Sequence, residues 1–357
     1  MTVPADTPVL SEADLRWRPY RLCAQSQLAI DPPTALPPGW TPDVSVPLDD
    51  ALPFPWDEDY RVAHAQAFQP VRFWQNATAL AALVADARAR GTGAEDAEEM
   101  LIALVKRMRD YIRKVDGARF IENRFTFSSA GMKLPYGWVS GIANAFVILG
   151  CVAAVQVLPG RGLEEDVRRL ADAYARIFAE GSNPPDPWIS YRDRNGFLWF
   201  EEYPEPGGQP NLVLNGHIFA VFALFRASGF WPGHGYAEMA QAGAATVEAY
   251  VPLFRRKGKV NIYALRGQRR SDYLPLRTIR QQYQLYQLTG SMTFLAHARA
   301  FRQDMAELLT TKDHTGFDRL EAVAMERRRW IDEDTPTLEQ GGWRLIDDPG
   351  EGLPPLP

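Results

Sequence analysis

A chain of 357 residues with 46% hydrophobic residues is long enough to bury a sizeable core, as one large domain or as a main domain with an accessory lobe. Its formal net charge of -5 excludes a general attraction for nucleic acid or membrane, while leaving room for a local basic strip. Two cysteines, Cys23 and Cys151, lie far apart in sequence, which argues against a disulfide framework or a zinc site and fits a reducing compartment.

The N-terminus, "MTVPADTPVLSEADLRWRPYRL", has no basic start followed by an apolar run, so a cytoplasmic location is expected. Residues 1–60 are rich in proline and show no sustained period. They read as an arm preceding or wrapping the body, and Trp40, Phe54 and Trp56 favour wrapping. Helix-length apolar patterns then take over. Asn76 is expected to cap "ATALAALVADARAR", and "AEDAEEMLIALVKRMRDYIRKV" begins acidic and ends basic, as the helix dipole prefers. Trp138–Leu158 is apolar over a membrane-span length, but Ser140, Asn144, Gln156, Gly141 and Gly150 favour a fully buried helix. Five more helical segments follow: "LEEDVRRLADAYARIFAEG", "NGHIFAVFALFRASG", "YAEMAQAGAATVEAYVPLF", "LRTIRQQYQLYQLTG" and "MTFLAHARAFRQDMAELL".

Apolar and amphipathic members alternate, so the simplest packing places the apolar helices inside. The expected fold is all-α dominated: an (α/α) toroid or barrel of about four helix pairs over 61–332, with short β pieces in the loops at one mouth. Residues 333–357 are expected to be a loose tail. Loops on a rigid scaffold are where chemistry usually sits. The unusual residues here fall in three of them: "RFIENRFTFSSAGMKLPYG", "YRDRNGFLWFEEYPEPGGQPNL" and "RRKGKVNIYALRGQRRSDYLP". Within them "FLWFEEY" and "KVNIYAL" are candidate strands.

Arg255–Arg280 holds nine basic residues against the single acid Asp272, a local footprint for a polyanion unless it is simply a solvated loop. It also contains Tyr263, Arg266 and Tyr273. A guanidinium captures a carboxylate in bidentate fashion, and a phenol donates or accepts a proton. In the second loop Glu201 and Glu202 are adjacent, among Trp199, Phe200 and Tyr203. A carboxylate walled by those rings is expected to have a raised pKa.

These residues carry a family resemblance. "WFEEYP…LVLNG", followed by "IYALR" and "DYLPLR", resembles the C-terminal domain of D-glucuronyl C5-epimerases, with its "EEYP…VLNG", "YDLR" and "WDYH". "YGWVSGIANA" and "QLYQLTG" are similar to its helix start and final helix pair, so the resemblance spans about residues 65–310. It implies inversion of C5 in D-glucuronosyl units of a heparosan-like acidic polysaccharide, by proton abstraction and reprotonation with no cofactor. The catalytic positions fall on Glu202, Tyr263 and Tyr273, and Arg266 holds the substrate carboxylate. Tyr203, Asn215, Trp138, Arg277 and Arg280 are the further candidate substrate-binding residues. Departures are a shorter loop between the tyrosines, Ser271 and Leu274 in place of tryptophan and histidine, and a largely missing β-rich N-terminal region. A uronate lyase on the same scaffold, or a non-catalytic glycan binder, is the alternative.

The remaining residues have blander readings. Glu201 reads as a salt-bridged or solvated neighbour, Asn215 as a helix cap and His217 as a packed, hydrogen-bonded histidine. Tyr136 and Trp138 are either core residues or aromatics placed to stack a sugar ring. No metal-ligand spacing, P-loop, HExxH or GxGxxG is present. A homodimer stays open, and no function attaches to "RLEAVAMERRRW" or the tail.

Overall fold

In the computed structural model the described residues are 15–18, 20–25, 28, 30, 67–129, 132–266, 271–272, 274–329 and 343–345. Tyr273, residues 267–270, and most of the arm 1–60 and of the tail 333–357 therefore lie outside them. The described chain is mostly helical with four short sheets. Its helices are α1 (Pro70–Arg90), α2 (Glu95–Arg109), α3 (Gly141–Val155), α4 (Leu163–Asp172), α5 (Leu214–Ser228), α6 (Tyr236–Phe254), α7 (Pro275–Thr289), α8 (Met292–Asp304) and α9 (Thr311–Arg329).

Local chemistry explains where these helices begin and end, including where the sequence reading was off. Helix α1 starts at Pro70, whose missing N–H costs nothing in a first turn, and stops at Gly91 in the left-handed conformation. Asn76 is therefore not a cap; it is buried inside the helix. Helix α2 carries Glu95, Asp96 and Glu98 in its first turn and Lys106, Arg107 and Arg109 in its last. It ends well short of Val115, because β2 (Ile112–Val115) turns at Asp116 (φ 48°) and Gly117 (φ 82°) to pair with β3 (Ala118–Asn123). An Asp-Gly pair with both φ positive is a hairpin signal, and here it overrides the helical pattern before it. Leu163–Gly181 divides in the same way: after α4 the chain passes through a short 3-10 turn into a strand at Ile177–Ala179.

Helices α3 and α5 are buried almost all round and form the inside of the body. Contacts run in succession from α1 to α3, α3 to α5 and α5 to α7, giving an inner row. Helix α2 packs outside α1 and α3, α4 outside α3 and α5, α6 against α5 and α8, and α8 and α9 against α7. The approach of α1 and α3 depends on Gly150, where a Cβ would stand 2.6 Å from the Phe73 ring.

The small sheets fill the connections that feed the inner helices. Before α3 lie β2, β3, β4 (Phe127–Ser129), β5 (Met132–Leu134) and β6 (Trp138–Val139). Before α5, the strand at Ile177–Ala179 (β7) pairs parallel with β8 (Ser190–Arg192), which pairs antiparallel with β9 (Leu198–Phe200). The segment expected as a strand in "KVNIYAL" makes only isolated bridges, Val213 with Ala264 and Ile262 with Ser271. At the N-terminus β1 (Leu15–Trp17) pairs parallel with β10 (Trp343–Leu345), so part of the tail expected to be loose is a strand. The described piece of the arm is tied to the body: the Tyr20 hydroxyl donates to Glu248 at 2.6 Å and the Cys23 N–H to the Leu288 carbonyl at 2.9 Å. No described helix is long and apolar enough to cross a membrane.

Candidate active site

Strand β9 delivers Glu201 and Glu202 to the end of the body where the inner helices begin. Their backbone is fixed there. The Gly141 N–H donates to the Glu201 carbonyl at 2.9 Å, and the Ser140 hydroxyl to the Glu202 carbonyl at 2.7 Å. The chain bends just past the end of β9, and the two carboxylates have different surroundings.

Glu201 points into the loop. It is neither salt-bridged nor solvated, as the sequence suggested: it is 1% exposed and accepts from three backbone amides, those of Tyr203 (3.0 Å), Asn211 (2.8 Å) and Leu212 (3.1 Å). Burial pushes its carboxyl up to about 7 against the pull of those amides. Asn211–Leu214 in turn pairs with Tyr263–Arg266: Leu265 N–H donates to Leu212, Arg266 N–H to Asn211, and Leu214 N–H to Tyr263. One buried carboxylate thus holds the loop that holds the tyrosine segment.

Glu202 points the other way, into a cavity of about 460 Å³ whose wall also includes Tyr203, Trp138, Phe125, Phe127 and Arg277. That volume is typical of a small-ligand site. Only 4% exposed, Glu202 accepts a hydrogen bond on Oε1 from the Tyr263 hydroxyl at 2.9 Å. The Tyr263 and Tyr203 hydroxyls are 3.3 Å apart. Oε2 is buried with no hydrogen-bond partner among the described residues. It lies against Gly216 in the first turn of α5, where a Cβ would come within 2.5 Å of it. Burial raises the carboxyl to about 7, offset in part by the Tyr263 and Tyr203 hydroxyls and by the Arg277 charge, and reinforced by Asp272. A carboxyl poised there gives or takes a proton near neutrality.

The wall is not the one the sequence suggested. Trp199 and Phe200 are core residues, packed on Tyr250, His217 and Tyr174 away from the cavity. The aromatic wall comes instead from the first loop: Phe127 stacks on Tyr203 with centroids 5.3 Å apart, and Trp138 lies 6.0 Å from Tyr203. Phe125 and Phe127 were missed, although their period-two spacing in "RFTF" signals a strand with one aromatic face. Tyr263 is 3% exposed and stands behind Tyr203, which presents the phenol nearer the cavity.

The positive groups are also redistributed. Arg266 donates to Glu180 at 2.9 Å and is not part of the wall. It bonds the β7 end to the tyrosine segment. The guanidiniums that reach the cavity are Arg277, stacked 5.7 Å from the Phe219 ring, and Arg72 from α1; neither has a carboxylate partner among the described residues. Arg280 is exposed and outside the wall.

Asn215 is not a cap, since Val213 occupies that position. It lies within the first turn of α5, accepts its neighbour Gly216 N–H at 2.7 Å, and leaves its buried Nδ2 without a partner among the described residues. His217 accepts from the Phe200 N–H on Nδ1 at 2.9 Å and so donates from Nε2 to the Gly243 carbonyl at 2.9 Å. Burial drives its pKa down to about 4, which keeps it neutral. Asp272 precedes the Leu274 cap position of α7 and accepts three hydrogen bonds, from the Leu274 N–H at 2.9 Å, from Asn261 at 3.1 Å and from the Thr278 hydroxyl at 2.5 Å. It fixes the chain on both sides of position 273.

No curated protein matches the chain. Among solved structures it is distantly similar to a cellobiose 2-epimerase from Bacillus thermoamylovorans B4167, at a TM-score of 0.47 and 13% identity. It is similar also to a D-mannose isomerase, at a TM-score of 0.44 and 11% identity. Each match covers 68% of this chain and 60% of the other. The sequence profile of the D-glucuronyl C5-epimerase C-terminus matches residues 118–303, just over half of the chain and the stretch that contains Glu202, Tyr203, Tyr263 and Arg277. The chain belongs to the D-glucuronyl C5-epimerase family, through its C-terminal domain.

Proposed function

We propose that this protein is a cofactor-independent epimerase that inverts C5 of D-glucuronosyl units, giving L-iduronosyl units, within a heparosan-like acidic polysaccharide. The observation that carries the proposal is the buried Glu202–Tyr263 pair opening, beside Tyr203, into an aromatic-walled cavity with two guanidiniums that have no carboxylate partner among the described residues. The inner row α1, α3, α5 and α7, with the other helices packed against it, supports an (α/α) toroid with this cavity at its mouth.

The chemistry follows from the electrostatics. Removing the proton α to a carboxylate builds enolate-like negative charge on that carboxylate, which a fixed cation must offset. Arg277 is the cation placed for it, in the role the resemblance gave to Arg266. Glu202 takes the proton on one face of the ring. A phenol returns one on the other, with Tyr203 and Tyr263 hydrogen-bonded to carry it and Tyr273 the further candidate from the resemblance.

Incubation with heparosan in deuterated water tests this. Deuterium at C5 together with L-iduronate is the expected result. No exchange on any glucuronate polymer overturns the reading, and chain shortening with an ultraviolet-absorbing unsaturated sugar reassigns the site to β-elimination.

A further inference from the structure

A second concavity, of about 340 Å³, adjoins the first: Trp138 lines both. We propose that it is a subsite for the neutral pyranose next to the reacting uronate, with Tyr136 as its stacking platform. This rests on the function proposed above and extends it from a single sugar to the adjoining unit of the chain.

Three observations carry it. The first is composition: the groove is built from Tyr136, Trp138 and Trp188, with six prolines at 135, 184, 185, 187, 204 and 206. Prolines have fixed φ and no N–H, so this wall is stiff and offers rings and carbonyls but few backbone donors. A pyranose suits it, since its C–H face lies on aromatic rings while its hydroxyls donate at the edges. The second is exposure: Tyr136 is 66% exposed, whereas Trp188 beneath is 4% exposed and anchored by its indole N–H to the Glu205 carbonyl at 3.2 Å. A large ring held on a loop between Pro135 and a left-handed Gly137 (φ 80°), with its face in solvent, is poor packing and a ready contact surface.

The third is charge. Among the described residues the only charged side chains lining the groove are Arg113 and Asp186, which face each other at 3.4 Å and cancel. The Glu202 cavity, by contrast, has Arg72 and Arg277 without carboxylate partners among the described residues. An acidic sugar fits the first space and a neutral one the second. Trp138 is the shared wall, and its buried indole N–H has no acceptor among the described residues. The two spaces thus match adjacent units of an alternating acidic and neutral glycan.

The test uses the full chain and separates the subsite from the reaction. Binding of methyl glucuronide and of a heparosan tetrasaccharide is measured by calorimetry on Glu202→Gln, with and without Tyr136→Ala. The expected result is a roughly three- to tenfold loss of tetrasaccharide affinity relative to methyl glucuronide on removing Tyr136, recovered by Tyr136→Phe. An unchanged ratio, or equal loss for both ligands, overturns the subsite. Exchange assays on the chain with Glu202 intact keep the two ideas apart. Tyr136-dependent tetrasaccharide binding without isotope exchange rejects the epimerase and retains the subsite. Exchange whose KM for the tetrasaccharide ignores Tyr136 does the reverse.

Discussion

Replacing Glu202 by glutamine should inactivate the enzyme while making the fold more stable at alkaline pH. Burial holds this carboxyl at about 7 where an exposed glutamate sits near 4.5. Below pH 4.5 both folded and unfolded chains hold the proton and the residue is neutral in its effect. As pH rises toward 7 the unfolded chain releases the proton and the folded chain keeps it, so stability falls; above 7 the loss is complete. At 1.36 kcal/mol per pH unit the full loss is about 3 kcal/mol, of which roughly 2–3 kcal/mol falls between about pH 5 and pH 8. Glutamine cannot titrate and escapes it. For 357 residues the unfolding entropy is about 0.75 kcal/mol/K, so the Tm of the variant should gain about 3 °C on that of the parent between those pH values. The amide nitrogen at the Oε2 position adds a pH-independent cost that cancels in this comparison. Differential scanning calorimetry of both proteins across the range, with C5 exchange on the same samples, is the assay. A Tm difference that does not grow with pH refutes the buried-charge argument, and retained exchange refutes the catalytic role.

Three further substitutions probe the neighbours. Tyr263→Phe removes the hydroxyl that lowers the Glu202 pKa, so the rising limb of exchange against pH, centred near 7 in the parent, should move upward while the rate falls by about 10²–10⁴-fold; an unmoved limb would separate the two groups. Glu201→Ala orphans three backbone amides. At about pH 4, where this carboxyl keeps its proton in the folded and the unfolded chain alike, it should cost about 2–4 kcal/mol in chemical denaturation, and an unchanged midpoint would show that the loop holds itself. Gly216→Ala places a methyl 2.5 Å from Glu202 Oε2. The helical gain of about 1 kcal/mol offsets overpacking of about 1–3 kcal/mol, so Tm should change little while exchange drops at least about tenfold; full activity would mean the carboxylate does not need its present seat.

The helices were legible in the sequence because their signals are local. Alternating apolar and amphipathic segments placed α3 and α5 inside, and "EEYP" marked the carboxylate. What escaped depends on contacts distant in the chain. Trp199 and Phe200 were assigned to the pocket because they neighbour Glu202 in sequence, yet strand alternation and the packing of His217 put them in the core. Arg266 sits in a motif beside Tyr263, but its partner Glu180 lies 86 residues away. Arg72 lies before the helix start that the sequence suggested at Asn76, and nothing local announces that the true first turn meets the start of α7 at one cavity.

The adjacent glutamates carry a consequence for how this segment can change. They follow directly on the end of β9 and face different surroundings, so gain or loss of one residue between β9 and Tyr203 would displace both at once. Glu201 would leave the three amides it fastens and Glu202 would leave the Tyr263 hydroxyl. The step before Tyr203 is therefore fixed in length by both carboxylates at once. Both acids must stay in phase with the strand, whatever sugar the surrounding loops come to prefer.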